Sequence, residues 1–107
     1  MLSKSVTEAK DMILEELRDN ESNLMGYCGV AERVIDALRL TSGLWESQEY
    51  SYKACEICEE IVRVLGDFRR IREGHSQSII KIEKLRMRAH KLSDFFRQMQ
   101  NDRMYKS

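Results

Sequence analysis

The sequence predicts an all-α protein, an antiparallel up-down helical bundle of three long helices, or of four if the first is split near residues 19–29. Three observations carry this. The 107 residues contain no proline, so no helix is forced to stop by ring sterics. Apolar residues recur at steps of three and four along most of the chain, which gathers them on one side of a helix. Turn-forming residues cluster in a few short places, so the connections suit antiparallel neighbours.

The first helical pattern starts at Ser5, which has the capping-box spacing to Glu8. Val6, Ala9, Ile13 and Leu17 then step by three or four. Asp19-Asn20-Glu21-Ser22-Asn23 interrupts them with five polar residues, which would cover every face of a helix. Leu24, Cys28, Ala31, Ile35 and Leu38 resume the spacing. Gly26 and Gly29 fall inside this stretch, and each costs a helix about 1 kcal/mol relative to Ala. Residues 5–40 therefore read as one helix with a weak point or as two with a tight turn at 19–23.

Thr41-Ser42-Gly43 predicts a break, with Gly43 past the end of the helix that closes on Leu40. A second helix is expected from Ser47. Its stripe is Tyr50, Ala54, Cys58, Ile61, Leu65 and Phe68, widened by Ile57, Val62 and Val64. Gly74 ends it, and Ser76 or Ser78 caps the last helix. There Ile82, Leu85, Ala89, Leu92, Phe96 and Met99 alternate steps of three and four, the seam of a coiled coil or bundle.

Length fits one domain over residues 1–107. Charged residues at 34% and apolar residues at 42% fit a folded globular chain rather than a disordered one. No apolar run approaches the roughly 20 residues of a membrane span. The start of the chain has no apolar segment of a signal peptide and turns acidic by Glu8. Cys28, Cys55 and Cys58 are odd in number and lie in helical patterns, so they read as reduced thiols of a cytoplasmic protein.

The net charge of +0 conceals a divide. Residues 1–62 carry six bases against thirteen acids, a net of −7, and residues 63–107 carry twelve against five, a net of +7. The charges fall on faces. Glu8, Asp11, Glu15 and Asp19 form an acidic stripe in the first helix, and Glu49, Glu56 and Glu60 share a face of the middle one. Lys81, Lys84, Arg88 and Lys91 form a basic stripe beside the last apolar seam. Such flanking stripes choose partner and orientation more than they add stability. They pair within the chain or between chains.

Cys55-Glu56-Ile57-Cys58 has a metal-site spacing, but zinc needs two further close ligands and only the scattered Cys28, His75 and His90 are available. The two thiols read as small buried hydrophobes, and no metal or cofactor is expected. Arg70-Ile71-Arg72-Glu73-Gly74-His75 has the R-x4-H spacing and resembles the short motif of HEPN-type ribonucleases, themselves small helical bundles. The resemblance implies Arg70 as a phosphate-charge stabiliser and His75 as a general acid/base toward a ribose 2′-hydroxyl. It covers six residues, and the tyrosine that often follows the histidine by two positions is Gln77. Twelve cations from Arg63 to Lys106 would suit a phosphate backbone, although no nucleic-acid motif accompanies them.

Leu44, Trp45, Tyr50 and Tyr52 cluster at the entry to the middle helix, and Tyr50 and Tyr52 cannot share a face. Phe95 lies beside the seam residue Phe96 and can extend it to another chain, while His90 falls off the seam toward solvent. The sequence thus favours a non-catalytic protein–protein interaction module: a small helical subunit, adaptor, inhibitor or chaperone, with a homo-oligomer as one version. Trp45, Tyr50, Tyr52 and Phe95 are its expected apolar contacts. Lys84, Arg88 and Lys91 are its electrostatic ones. Nucleic-acid binding by the basic half is the alternative, and a HEPN-like ribonuclease the second.

Overall fold

A computed structural model describes the backbone of residues 2–45, 48–71 and 76–106 and the side chains of 8–43, 51–71 and 77–99. It shows four long helices and one short turn of helix: α1 (Leu2–Asp19), α2 (Leu24–Leu40), α3 (Ser42–Trp45), α4 (Gln48–Ile71) and α5 (Ser76–Lys106). No strand occurs among the described residues. The molecule measures 49 × 27 × 19 Å, and its long axis is close to the roughly 46 Å that the 31 residues of α5 would span.

The first stretch is two helices, because residues 20–23 supply their own turn. The amides of Asn20 and Glu21 donate to the carbonyls of Leu17 and Arg18, and the Asn23 amide donates to Asn20. Asn23 has an extended backbone and accepts from the Gly26 amide through Oδ1 at 3.4 Å, capping α2. A Cβ on Gly26 would lie 2.8 Å from Asn20 Oδ1, and Asn20 is already held by donating from Nδ2 to the Glu16 carbonyl. Glycine at 26 therefore lets the turn fold back on α2.

Two local expectations change. Helix α1 begins at Leu2, so Ser5 lies inside it and does not cap it. Gly43 does not end α2: Thr41 does, donating its amide and its Oγ1 to the Ala37 carbonyl, and Gly43 continues into α3. The helix-capping serine expected at 47 and the stop at Gly74 lie outside the described residues.

Directions alternate along the chain, up and down. Arg69 near the end of α4 pairs with Glu83 early in α5, whereas Cys55 and Glu59 meet Ser93 and Arg97 further along α5, so the two form an antiparallel hairpin. Its close approach follows from small buried residues on both sides: Ser51, Ala54, Cys55 and Cys58 on α4, Ala89 and Ser93 on α5. Helix α2 packs on α5, and α1 packs on α2 and α4. Going around the bundle, the order is α1, α2, α5, α4. The link through α3 crosses one end, so α2 and α4 also touch across the short diagonal. Helices α1 and α5 take the two far corners.

The core is the set of stripes read from the sequence. Leu24, Cys28, Ala31, Ile35 and Leu38 of α2 are buried with Ala54, Ile57, Cys58, Ile61 and Leu65 of α4. Ile82, Leu85, Ala89, Leu92 and Phe96 of α5 complete it. Of the described side chains of α1, Leu17 is fully buried, and Ile13 and Leu14 partly.

Candidate functional site

Helix α5 is apolar on two opposite sides. Its heptad seam faces the core. On the far side Ile80 and Met87 are 56% and 59% exposed, and Phe95, 43% exposed, lies between that side and the seam. Lys84 and Lys91 fall between them, and the sequence 80, 84, 87, 91, 95 steps by four, three, four and four, so all five share one outward stripe. A helix that only completed a bundle would carry polar residues there.

Lys91 and Phe95 are also the edge of a groove of about 380 Å³ between α5 and α2. Ile35, Leu92 and Phe95 give it an apolar floor, and Arg39, Arg88 and Lys91 a basic rim. Stripe and groove form one continuous basic and apolar surface. Lone exposed apolar residues are ordinary, but a row of them joined to an apolar groove marks a contact surface.

The site residues expected from the sequence divide accordingly. Lys84, Lys91 and Phe95 come together on this surface. Arg88 reaches it but is committed within the chain, with Nη2 2.5 Å from Asp36 Oδ1 of α2. Tyr52 is exposed on α4, away from the α5 stripe. The side chains of Trp45 and Tyr50 lie outside the described residues. Ile80, Met87 and the Ile35–Leu92 floor escaped the sequence reading. Ile80 and Met87 had a signal, since they are seven apart and opposite the seam, but a heptad count looks only at the seam.

The split charge is partly consumed inside the fold. Between helices, Lys10 pairs with Glu56, Arg33 with Glu16 at 3.5 Å, Arg69 with Glu83 at 2.9 Å and Arg97 with Glu59 at 2.5 Å. Arg63 lies 2.6 Å from Glu60, and that hydrogen bond, with its charge, raises the guanidinium pKa further. Arg63, Arg69, Arg70, Arg86, Arg88 and Arg97, the described arginines of the basic half, are all ion-paired. Lys81, Lys84 and Lys91 are exposed and form no ion pair with a described residue. The acids Glu8, Asp11, Glu15 and Asp19 are likewise exposed and form no ion pair with a described residue, on the outward face of α1 with Met12, 69% exposed, among them. These two stripes do not meet in one molecule, because α1 and α5 stand at opposite corners.

The remaining candidates are structural in their surroundings. Cys28, Cys55 and Cys58 are free and buried. Burial pushes all three thiols up, Cys58 to about 12. Cys55 Sγ donates to the Ser93 carbonyl at 3.3 Å, tying α4 to α5. The buried hydroxyls of Tyr27 and Ser93 have no hydrogen-bond partner among the described residues, and burial likewise raises the Tyr27 pKa. Among the described residues no three His, Cys, Asp or Glu side chains cluster as a metal would require. No described helix is long and apolar enough to cross a membrane. Arg70 is exposed and paired with Asp67, whereas His75 lies outside the described residues.

Comparison with protein-family models, with curated proteins and with solved structures finds no match.

Proposed function

We propose that this chain is a non-catalytic protein-interaction module, a small helical subunit or adaptor. It offers the outward stripe of α5 and the adjoining groove to an acidic amphipathic helix. One observation carries the reading: α5 buries one apolar seam and leaves a second apolar row, interleaved with exposed lysines that pair with no described acid, facing outward. Burying that row against a helix would remove Ile80, Met87 and Phe95 from water, at about 25 cal/mol per Å² of apolar surface. The lysines would select an acidic partner and set its register. Three free, buried thiols support placement in a reducing, cytoplasmic compartment.

The test is affinity capture from cells expressing the tagged chain or its Lys84→Glu/Met87→Asp variant, with captured proteins quantified by mass spectrometry. A protein retained at least tenfold better by the unaltered chain is expected. Capture indifferent to the substitutions, together with a strictly monomeric chain, overturns the reading.

Nucleic-acid binding is the second reading, favoured by the placement of the unpaired acids of α1 on the far side of the bundle from the lysines of α5. It is weakened by the pairing of the arginines, which leaves Lys81, Lys84 and Lys91 as the cations of that face. Binding to a single- or double-stranded oligonucleotide should fall steeply with salt and vanish in Lys84→Glu/Lys91→Glu. No mobility shift at low salt would exclude it.

A further inference from the structure

We infer that the occupant of the α5 stripe is the outward face of α1 from a second copy of this chain. The inference rests on the interaction-module reading and names its partner. Both faces are described, and each lacks what the other has. Read down α1, the outward residues Glu8, Met12 and Glu15 are spaced four then three. Read backward along α5, Lys91, Met87 and Lys84 are also spaced four then three. Set antiparallel, Glu8 meets Lys91, Met12 meets Met87 and Glu15 meets Lys84, with both charged pairs about 10 Å apart along the axis. In the parallel direction the order of the steps is reversed and the methionines fall out of register. The chemistry of the match is acid–apolar–acid on base–apolar–base, and none of the four charges is ion-paired with another described residue.

The topology supplies that antiparallel direction. Along one molecule α1 runs up and α5 runs down, and they occupy opposite corners with outward faces pointing away from each other. A second copy displaced sideways, with an axial stagger and no rotation, brings its α1 against α5 in the antiparallel sense. Such a contact is heterologous. It leaves a free acidic face at one end and a free basic face at the other, so assembly continues past a dimer as an open row. A two-turn helix contact is small beside the roughly 1,600 Å² of a stable complex, so the association is weak and sensitive to salt.

Sedimentation equilibrium tests this with two charge-reversed chains, Lys84→Glu/Lys91→Glu and Glu8→Lys/Glu15→Lys. All four positions are exposed, and circular dichroism checks that each variant keeps its helix content. The unaltered chain should show a weight-average mass that rises with concentration beyond twice 12.6 kDa and falls in high salt. Each variant alone should be monomeric, with at least tenfold weaker association. An equimolar mixture should assemble again, because the reversed α5 of one then matches the reversed α1 of the other. An unaltered chain that stays monomeric at low salt overturns the inference, as does a mixture that fails to reassemble. If that monomer still captures another protein through Lys84 and Met87, only self-docking fails. If it captures none, the interaction-module reading fails with it.

Discussion

Helices α5 and α1 hold opposite corners of the same bundle by unequal means. Five seam residues of α5, Ile82 through Phe96, are buried against α4 and α2. Helix α1 buries Leu17 fully and rests Ile13 and Leu14 partly on the core. What the two share is an outward face with charges that form no ion pair among the described residues. The difference teaches that apolar contact and charge are distributed separately here. The well-anchored helix presents a basic, partly apolar face on a rigid support. The lightly anchored one presents an acidic face.

The comparison breaks most visibly at Phe96. Phe96→Ala empties a fully buried site between α4 and α5 and should cost about 3–5 kcal/mol in urea unfolding, with the whole bundle lost together. Leu17→Ala removes the main anchor of α1, at about 2–3 kcal/mol, near the low end for such sites because a peripheral helix can relax. Hydrogen exchange should show α1 amides opening before those of α4 and α5, and further in this variant. Equal protection across the four helices would remove the distinction.

Alkaline pH probes the α4 side of the core. The Cys58 thiol is raised by burial from its ordinary 9 to about 12, so folding favours the protonated form. Its contribution is complete below pH 9 and declines as pH rises from 9 toward 12, on the order of 2 kcal/mol by pH 11. Cys28, Cys55 and Tyr27 shift in the same sense and add to the slope. Cys58→Ala should flatten the fall of stability over that window, and an unchanged slope would show the thiol to be accessible.

Asn23→Ala removes the cap that turns α1 into α2 and should cost about 1 kcal/mol. Smallest is Arg88→Ala, which breaks a half-exposed pair with Asp36 and should cost under about 1 kcal/mol by thermal unfolding. A larger loss would make the α2–α5 ion pair a principal tie between those helices.

Most of the fold was legible because helix packing is periodic. Every residue named in the α2 stripe is buried, as are the described members of the α4 and α5 stripes except Val62 and Met99, which are half-buried. The turn at 19–23 was visible as five consecutive polar residues, although only the backbone hydrogen bonds of residues 20–23 and the Asn23 cap decided for two helices. The candidate surface was legible in part. Lys84, Lys91 and Phe95 stood out by charge and by excess apolarity beside the seam. Ile80 and Met87 did not, since an isolated apolar residue off the seam looks like ordinary surface until its neighbours are placed. The groove could not be read at all, because Ile35 and Arg39 come from a helix distant in sequence.

By itself the sequence determined helix content, the apolar stripe of each helix and the sign of each charged face. These are local properties, set by the 3.6-residue turn and by which residues follow one another. Only the tertiary structure decided which helices are neighbours and which charges are spent. That choice depends on how four stripes of different width close around one core. The small residues of α4 and α5 draw those two together, and the link through α3 carries the chain across the end of the bundle. The consequence is that α1 and α5, whose charges match, are the two helices that the fold keeps apart.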